Sequence, residues 1–504
     1  MGGTTSHFVP YTDEVAFFVL KFGGIEMANM DKARFEELKK MGKNFPLSVE
    51  YMADQITPTN MYYNLDGDYK FLLESAMIGG SSGRYTFLGE NPIKKIKSSG
   101  RNITIESQGE SVELEGNLID VLQEHMKVDY EEEGLDIPFS GGAIGYLGYD
   151  IIRHIEDIPA SNNAEIDIPE SYMMFYKKIV CYDHLKKTLS LIYNVEPGDK
   201  SYEEILDEID DMHRKLSKMP EIVNMEEKRP GEGAQIEDNP ETEKDFCKKV
   251  EKAKEHIMAG DIFQIVLSHR FEIATEDDPF EIYRRLRRKN PSPYLYFIDY
   301  GDFQVIGSSP ESLVKSIGGV VETHPIAGTR PRGKNKAEDE EIAAELLQDE
   351  KEIAEHMMLV DLGRNDIGKI SKKKTVNVER FKEVDYYSHV MHIVSKVVGE
   401  LRDDMTCFDA LKACFPAGTV SGAPKIRAME LIDEIEDVKR ELYSGTVGYF
   451  SYNGDMDVCI AIRTIVLKSQ KAYIQAGAGV VYDSVPEKEY REIVNKAKAL
   501  LEVV

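Results

Sequence analysis

Glu355, in AEHMMLVDLGRND, and Glu492, in EKEYREIVNK, each fall on a helical pattern beside apolar neighbours, where a solvated glutamate is out of place. Two carboxylates from different helices suit a hard, oxygen-seeking cation such as magnesium, held partly by a substrate. The plainer alternative is a pair of surface glutamates in an acid-rich chain. Arg463 lies in IAIRTIV, where apolar flanks would bury the guanidinium and demand an anion beside it, either a ligand or a structural carboxylate. Glu311 in SSPES could protonate a leaving hydroxyl, and His392 in HVMHIVS could act as acid or base. A turn carboxylate and a core histidine on an apolar helix face are the plain counterparts. AGAGVV, 476 to 481, offers small residues to a ligand or simply to close packing, and Thr329, Arg330 and Arg332 of HPIAGTRPRG read alone as a solvated basic loop.

The stretch FPAGTVSGAPKIRAMELI, 415 to 432, runs a glycine- and threonine-rich loop that includes Thr419 into an amphipathic helix. Ser421 is placed to cap that helix, Pro424 to start it, and Lys425 and Arg427 to join free amides in a cradle for carboxylate or phosphate. A nucleotide P-loop is a poor fit. That motif needs four residues between its glycines and Gly-Lys-Ser/Thr at its end, whereas three separate Gly418 from Gly422 and Ala-Pro precedes Lys425.

With 504 residues, 42% of them apolar, the chain has room for one large intertwined domain or two to three ordinary ones. A formal charge of −28 argues against nucleic acid as the main partner, although local cations in a cleft still suit a small anion. Five cysteines without CxxC spacing read as free thiols of a reducing cytosol, which places the protein in the cytoplasm. No apolar run is long enough to span a membrane. MGGTTS at the start matches only the permissive outline of a myristoylation signal.

The elements that must position these groups are many short strands and several helices. Residues 1–45 read as a peripheral extension, 46–218 as an N-terminal region, 219–242 as a linker rich in proline, glycine and acid, and 243–504 as the catalytic region. Residues 172–195 read as one hairpin with a charged turn. A long helix is expected over about 336–361 and another from about 385, and MDVCIAIRTIVLK reads as a single strand. The closing helix opens on a Ser484/Glu487 capping box and buries Tyr490, Ile493, Val494, Ala497 and Leu500. A faint echo between SGGAIGYLGY and YSGTVGYFSY would suit strands in facing sheets.

Taken together, HPIAGTRPRG, AEHMMLVDLGRND, FPAGTVSGAPKIRAMELI, GYFSYNGDMDVCIAIRT and QAGAGVVYDSVPEKEY resemble, in order, the chorismate-utilising enzymes, most closely the large aminating subunits of anthranilate synthases. The resemblance runs from about Phe45 to the C-terminus. It implies an α+β fold of two facing antiparallel sheets flanked by helices, an α-β-β-α sandwich. It also implies chorismate held by Gly328, Thr329, Tyr443, Arg463 and the Gly477–Ala478–Gly479 run, and magnesium held by Glu355 and Glu492. Catalysis would fall to Glu311, His392, Thr419 and Gln264. Water-adding relatives, which make isochorismate or salicylate, carry a lysine where this chain has Gln264, and 4-aminating relatives usually carry a lysine where it has Ala327. Both departures favour amination at C2 and loss of pyruvate to give anthranilate, the committed step toward tryptophan. Ammonia would come from a separate glutaminase subunit in a hetero-oligomer. Glu74, Ser75, Pro293, Tyr294 and Leu295 resemble a tryptophan feedback site. A silent regulatory subunit is the alternative of another class.

Overall fold

The computed structural model describes residues 17–19, 26–76, 83–160, 162–219, 240–387 and 390–504. Two large antiparallel sheets, one of thirteen strands and one of twelve, pack face to face with helices outside. Both sheets are shared by the two halves of the chain. In the first, Phe71–Glu74 pairs with Tyr294–Asp299, placing Glu74 opposite Leu295. In the second, Gly142–Leu147 pairs with Thr446–Ser451, placing Gly145 opposite Gly448. The two echoing glycine- and tyrosine-rich strands are therefore neighbours in one sheet and do not face each other.

Between the sheets lies an aromatic layer. Phe71 meets Tyr176 at 4.6 Å between ring centroids, and Tyr146 meets Tyr300 at 5.4 Å, both edge-to-face. Buried tyrosines need partners for their hydroxyls. Tyr146 donates to the Pro169 carbonyl at 2.6 Å and Tyr176 to the Tyr69 carbonyl at 2.7 Å. Outside the first sheet, helix Lys32–Lys40 buries Phe35 and Leu38, so this part of the expected extension belongs to the core. The expected linker lies outside the described residues except for residue 219 and residues 240–242, which begin helix Pro240–Ala259.

Several expected elements are divided because the chain passes from sheet to sheet. Ser171–Tyr176 belongs to the second sheet, whereas Lys178–Asp183 and Thr188–Val195 form a hairpin in the first. MDVCIAIRTIVLK breaks into Met456–Ile460 in the second sheet and Thr464–Lys468 in the first, with Arg463 at the crossing in a left-handed conformation (φ 52°). Phe303–Ser309 and Ser312–Ile317 cross in the opposite direction through Pro310 and Glu311. These two crossings touch: the Ile460 amide donates to the Glu311 carbonyl at 3.0 Å, and the Ser309 hydroxyl donates to the Ile460 carbonyl at 2.7 Å.

The long helical pattern is two helices, Lys336–Leu346 and Glu350–Ile370, the second capped by the Asp349 side chain. The segment from about 385 is no helix. Asn377–Tyr386 and Val390–Glu400 pair as strands, since VMHIVSKVV is rich in β-branched residues and supplies one strand to a sheet interior. The closing helix Pro486–Leu501 buries Tyr490, Ile493, Ala497 and Leu500 and half-buries Val494. Its N-cap is Val485; the Ser484 hydroxyl instead accepts from the Val481 amide, so the expected capping box is absent.

Candidate active site

A cavity of about 760 Å³ opens between the ends of the two sheets. One wall is Gln264–Ala274 and Lys471–Val480 of the first sheet with helix Pro486–Leu501. The other is Ile326–Pro331 and Val390–Glu400 of the second with helix Glu350–Ile370. Gln264, Glu311, Ala327, Gly328, Thr329, Glu355, His392, Thr419, Tyr443, Arg463, Gly477, Gly479 and Glu492 all line it. Ala478 does not: strand alternation turns its methyl into the core, where it is fully buried.

The floor is built by the two touching crossings. Glu311 accepts a hydrogen bond from the Thr419 hydroxyl at 2.9 Å. Burial nonetheless dominates, and the Glu311 carboxyl is pushed up to about 7, against opposing effects from Thr419 and Lys496. A carboxylic acid still protonated near neutrality can donate a proton. Arg463 donates to the Lys496 carbonyl at 2.6 Å. Burial disfavours its charge, with Tyr443 and Glu492 acting the other way, so a bound anion would relieve the desolvation.

The strand Lys471–Val480 pairs on one edge with Thr464–Lys468 only as far as Ile474. Beyond it that edge faces the cavity. Gly477 is required there, because a Cβ would come within 2.5 Å of the Tyr443 hydroxyl and 3.0 Å of the Leu267 carbonyl. Gly328 adopts φ 71°, which favours glycine. On the next strand, His392 Nδ1 lies 3.1 Å from both the Gly328 carbonyl and the Thr329 hydroxyl. A carbonyl only accepts, so Nδ1 carries the proton of the neutral ring and Nε2 is the free base. Burial lowers the His392 pKa, favouring that neutral form.

Glu355 and Glu492 approach from opposite helices. Both side chains are exposed to the cavity mouth, correcting the expectation that apolar neighbours would surround them. Although exposed, the Glu355 carboxyl is partly desolvated by the surrounding cavity wall, and this, then the charges of Glu352 and Glu492, holds it above the usual carboxylate range. Sequence reading missed Lys496, Lys488, Glu352 and Glu489, which also line the cavity. Lys496 pairs with Glu492 at 2.6 Å and donates to the Gly477 carbonyl at 2.8 Å. Its signal was the i,i+4 spacing from Glu492.

The expected anion cradle at residues 421–427 is not formed. Ser421 donates to the Ala417 carbonyl and Pro424 is the helix N-cap. Lys425 is paired with Asp366 at 2.9 Å and Arg427 with Glu430 at 2.7 Å. The loop's contribution to the cavity is Thr419 and Val420. Arg330 and Arg332 are likewise engaged, Arg330 with Asp349 and Glu352 and Arg332 with Asp339, so the basic loop anchors helices.

The five expected effector residues lie apart from this cavity, around the seam of the first sheet. Glu74 accepts from the Tyr283 hydroxyl at 3.0 Å and from Arg287 at 2.5 Å, and Tyr294 donates to Asp457 at 2.9 Å. Leu295 is buried; Ser75 and Pro293 are half-buried.

A cavity floored by a glutamate whose burial favours its protonated form, and walled by a buried guanidinium, an open strand edge and carboxylates from two facing helices, is the arrangement of an enzyme site for a small polar molecule. The chain belongs to the chorismate binding enzyme family, whose profile matches residues 74–502, and it is a chorismate-utilising enzyme of the lyase type. Within the family it is 47% identical over 486 residues to anthranilate synthase component 1 of Acetivibrio thermocellus, covering 93% of this chain and 97% of that one. It is 44% identical to the component 1 of Lactococcus lactis, covering 90% and 98%. The crystal structure of anthranilate synthase component I from Streptococcus pneumoniae superimposes with a TM-score of 0.75 at 40% identity, covering 89% of this chain and 98% of that chain. The menaquinone-specific isochorismate synthase of Escherichia coli, at 17% identity and a TM-score of 0.67, shares the fold. Among the described residues, no helix is long and apolar enough to cross a membrane.

Proposed function

We propose that this chain is the aminating subunit of an anthranilate synthase, adding ammonia to C2 of chorismate, expelling the C4 hydroxyl and eliminating pyruvate. The observation that supports this reading is that Gln264 and Ala327, both without a base or an amine, line the same cavity as Glu311, Arg463 and the two helix glutamates. Glu311 protonates the departing hydroxyl, with Thr419 fixing its carboxyl. Arg463 and the open edge of 475–480 hold substrate carboxylate, and Gln264 orients ammonia, which needs no base to become a nucleophile. Nε2 of His392 is a free base facing the ring during proton removal and pyruvate loss.

Glu355 and Glu492 fit magnesium: two carboxylates on facing helices leave most coordination positions to water and substrate, as that ion prefers. When bound, the ion supplies positive charge beside the ring carboxylate. The ammonia source is a glutaminase partner in a hetero-oligomer, and tryptophan is the inhibitor at the Glu74–Leu295 seam.

The purified chain with chorismate, magnesium and an ammonium salt is expected to yield fluorescent anthranilate without any glutaminase. Isochorismate, salicylate or aminodeoxychorismate as the product would reassign the branch, and an inert chain would make it regulatory. Ser75→Ala is expected to weaken tryptophan inhibition about tenfold, the scale of one lost hydrogen bond to a charged group, with turnover little changed. Unaltered sensitivity in an inhibition titration would move the effector site elsewhere.

A further inference from the structure

Arg440 is fully enclosed (2% exposed) in a segment, EDVKRE, that reads as polar and solvated. Its five N–H groups are all used. Nε donates to Glu436 Oε2 at 2.8 Å and Nη2 to Glu436 Oε1 at 2.6 Å. Nη2 also donates to the Val266 carbonyl at 2.6 Å, and Nη1 to the Val420 carbonyl at 2.7 Å and the Ser444 hydroxyl at 3.3 Å. The guanidinium also lies 5.6 Å from the centre of the Tyr443 ring. Glu436 in turn accepts from the amide and hydroxyl of Ser268 at 2.8 Å, and Gln475 donates to that hydroxyl at 2.9 Å.

Apart from Glu436, each of these acceptors adjoins a group that lines the cavity. Val420 follows Thr419, the partner of Glu311. Val266 lies two residues beyond Gln264, and Ser444 follows Tyr443. A guanidinium makes these bonds from one rigid plane, so the three segments cannot shift independently while it stays in place. An ion pair this deep contributes little net stability over an apolar replacement, which leaves placement as its evident effect.

We infer that Arg440 is a positioning residue for the reaction, clamping the Thr419 turn, the Gln264 strand and the Tyr443 turn in one fixed relation without touching substrate. This rests on the reading of the cavity as the chorismate site. Lysine, with three donors on a single point, cannot span the same acceptors.

The test compares Arg440→Lys with Ile209→Ala, a buried truncation on the outer helix Tyr202–Leu216, chosen to match its loss of Tm. Arg440→Lys is expected to lower kcat by at least about tenfold, on the scale of a sub-ångström misplacement, while Ile209→Ala keeps it. Hydrogen exchange in 264–267, 418–421 and 440–445 should quicken together in Arg440→Lys alone. Should Arg440→Lys fail to fold, the double variant Arg440→Met/Glu436→Leu removes both charges and is expected to fold with the same two defects. Wild-type turnover with an unchanged kcat in the variant, or unaltered exchange in the three segments, overturns the clamp. An inert wild-type chain rejects the functional reading, and the exchange measurement still decides the clamp.

Discussion

Glu492→Gln is expected to abolish magnesium-dependent anthranilate formation while leaving the chain folded. The side chain is 47% exposed and its one ion pair, to Lys496, is a half-exposed i,i+4 contact, worth about 0.5 kcal/mol or less. Stability therefore changes little. Function is different, because neutral glutamine binds a divalent ion poorly and leaves the substrate carboxylates opposed by Glu355, Glu352 and Glu489 at the same mouth. A loss of about 10²–10³-fold in kcat/KM, the scale of one lost electrostatic contact at a reacting centre, is the minimum expected. Glu355→Gln should do the same, and the double variant should be little worse if, as proposed, both act on one ion. The readout besides activity is the magnesium-induced rise in Tm, present in the wild type and missing in each variant. Undiminished turnover in Glu492→Gln removes that residue from the metal site.

The site's chemistry was more legible in the chain than its geometry. Glu311, His392 and Arg463 were singled out by residue type and by long motifs, and all three reach one cavity. What failed was local period. His392 sits in a run of alternating β-branched residues whose apolar density also satisfies a helix, and pairing with Ile326–Pro331 across more than sixty residues decides between them. Arg463 was read inside one strand because IAIRTIV is apolar throughout. The left-handed turn that sends it from one sheet to the other is a tertiary fact, held by the Ser308 amide bonding to its carbonyl at 3.1 Å. Ser421 and Ser484 illustrate the same limit at helix starts: each has the right identity for a cap, yet each hydroxyl serves its own loop.

Those sheet-to-sheet crossings also explain how the groups are held. A crossing must leave one hydrogen-bond ladder before it joins another, so its residues are the ones whose side chains and main chain are released from strand alternation. Glu311 and Arg463 both occupy such positions, and the two crossings brace each other through Ile460. Glu311 and Arg463 thus stand on a junction braced by hydrogen bonds between the sheets instead of on a free loop, which favours a preorganised site.

Glu311→Gln should separate catalysis from stability in opposite directions. Glutamine preserves the shape but cannot give up a proton, so turnover should fall by about 10²–10⁴-fold, the usual contribution of a general acid. In the wild type the acid must be protonated, so kcat should decline as pH rises through about 7. The supply of free ammonia rises over the same range, and the two together make a bell-shaped profile when ammonium is the nitrogen source. Stability runs the other way. Unfolded, this carboxyl ionises near its ordinary 4.5; folded, it holds its proton to about 7. The folded state thus binds the extra proton between those values, and stability due to this group is full below 4.5 and is lost as pH rises through 7. Above that, native Glu311 is a buried charge, and glutamine should be the more stable residue by about 2 kcal/mol, less than the full shift implies because the carboxyl borders a cavity. Thermal unfolding at pH 8 should show a higher Tm for Glu311→Gln than for the wild type, with the difference shrinking at pH 5. Equal Tm values at pH 8, or a variant that keeps wild-type turnover, would remove Glu311 as the buried acid on which the chemistry of the cavity turns.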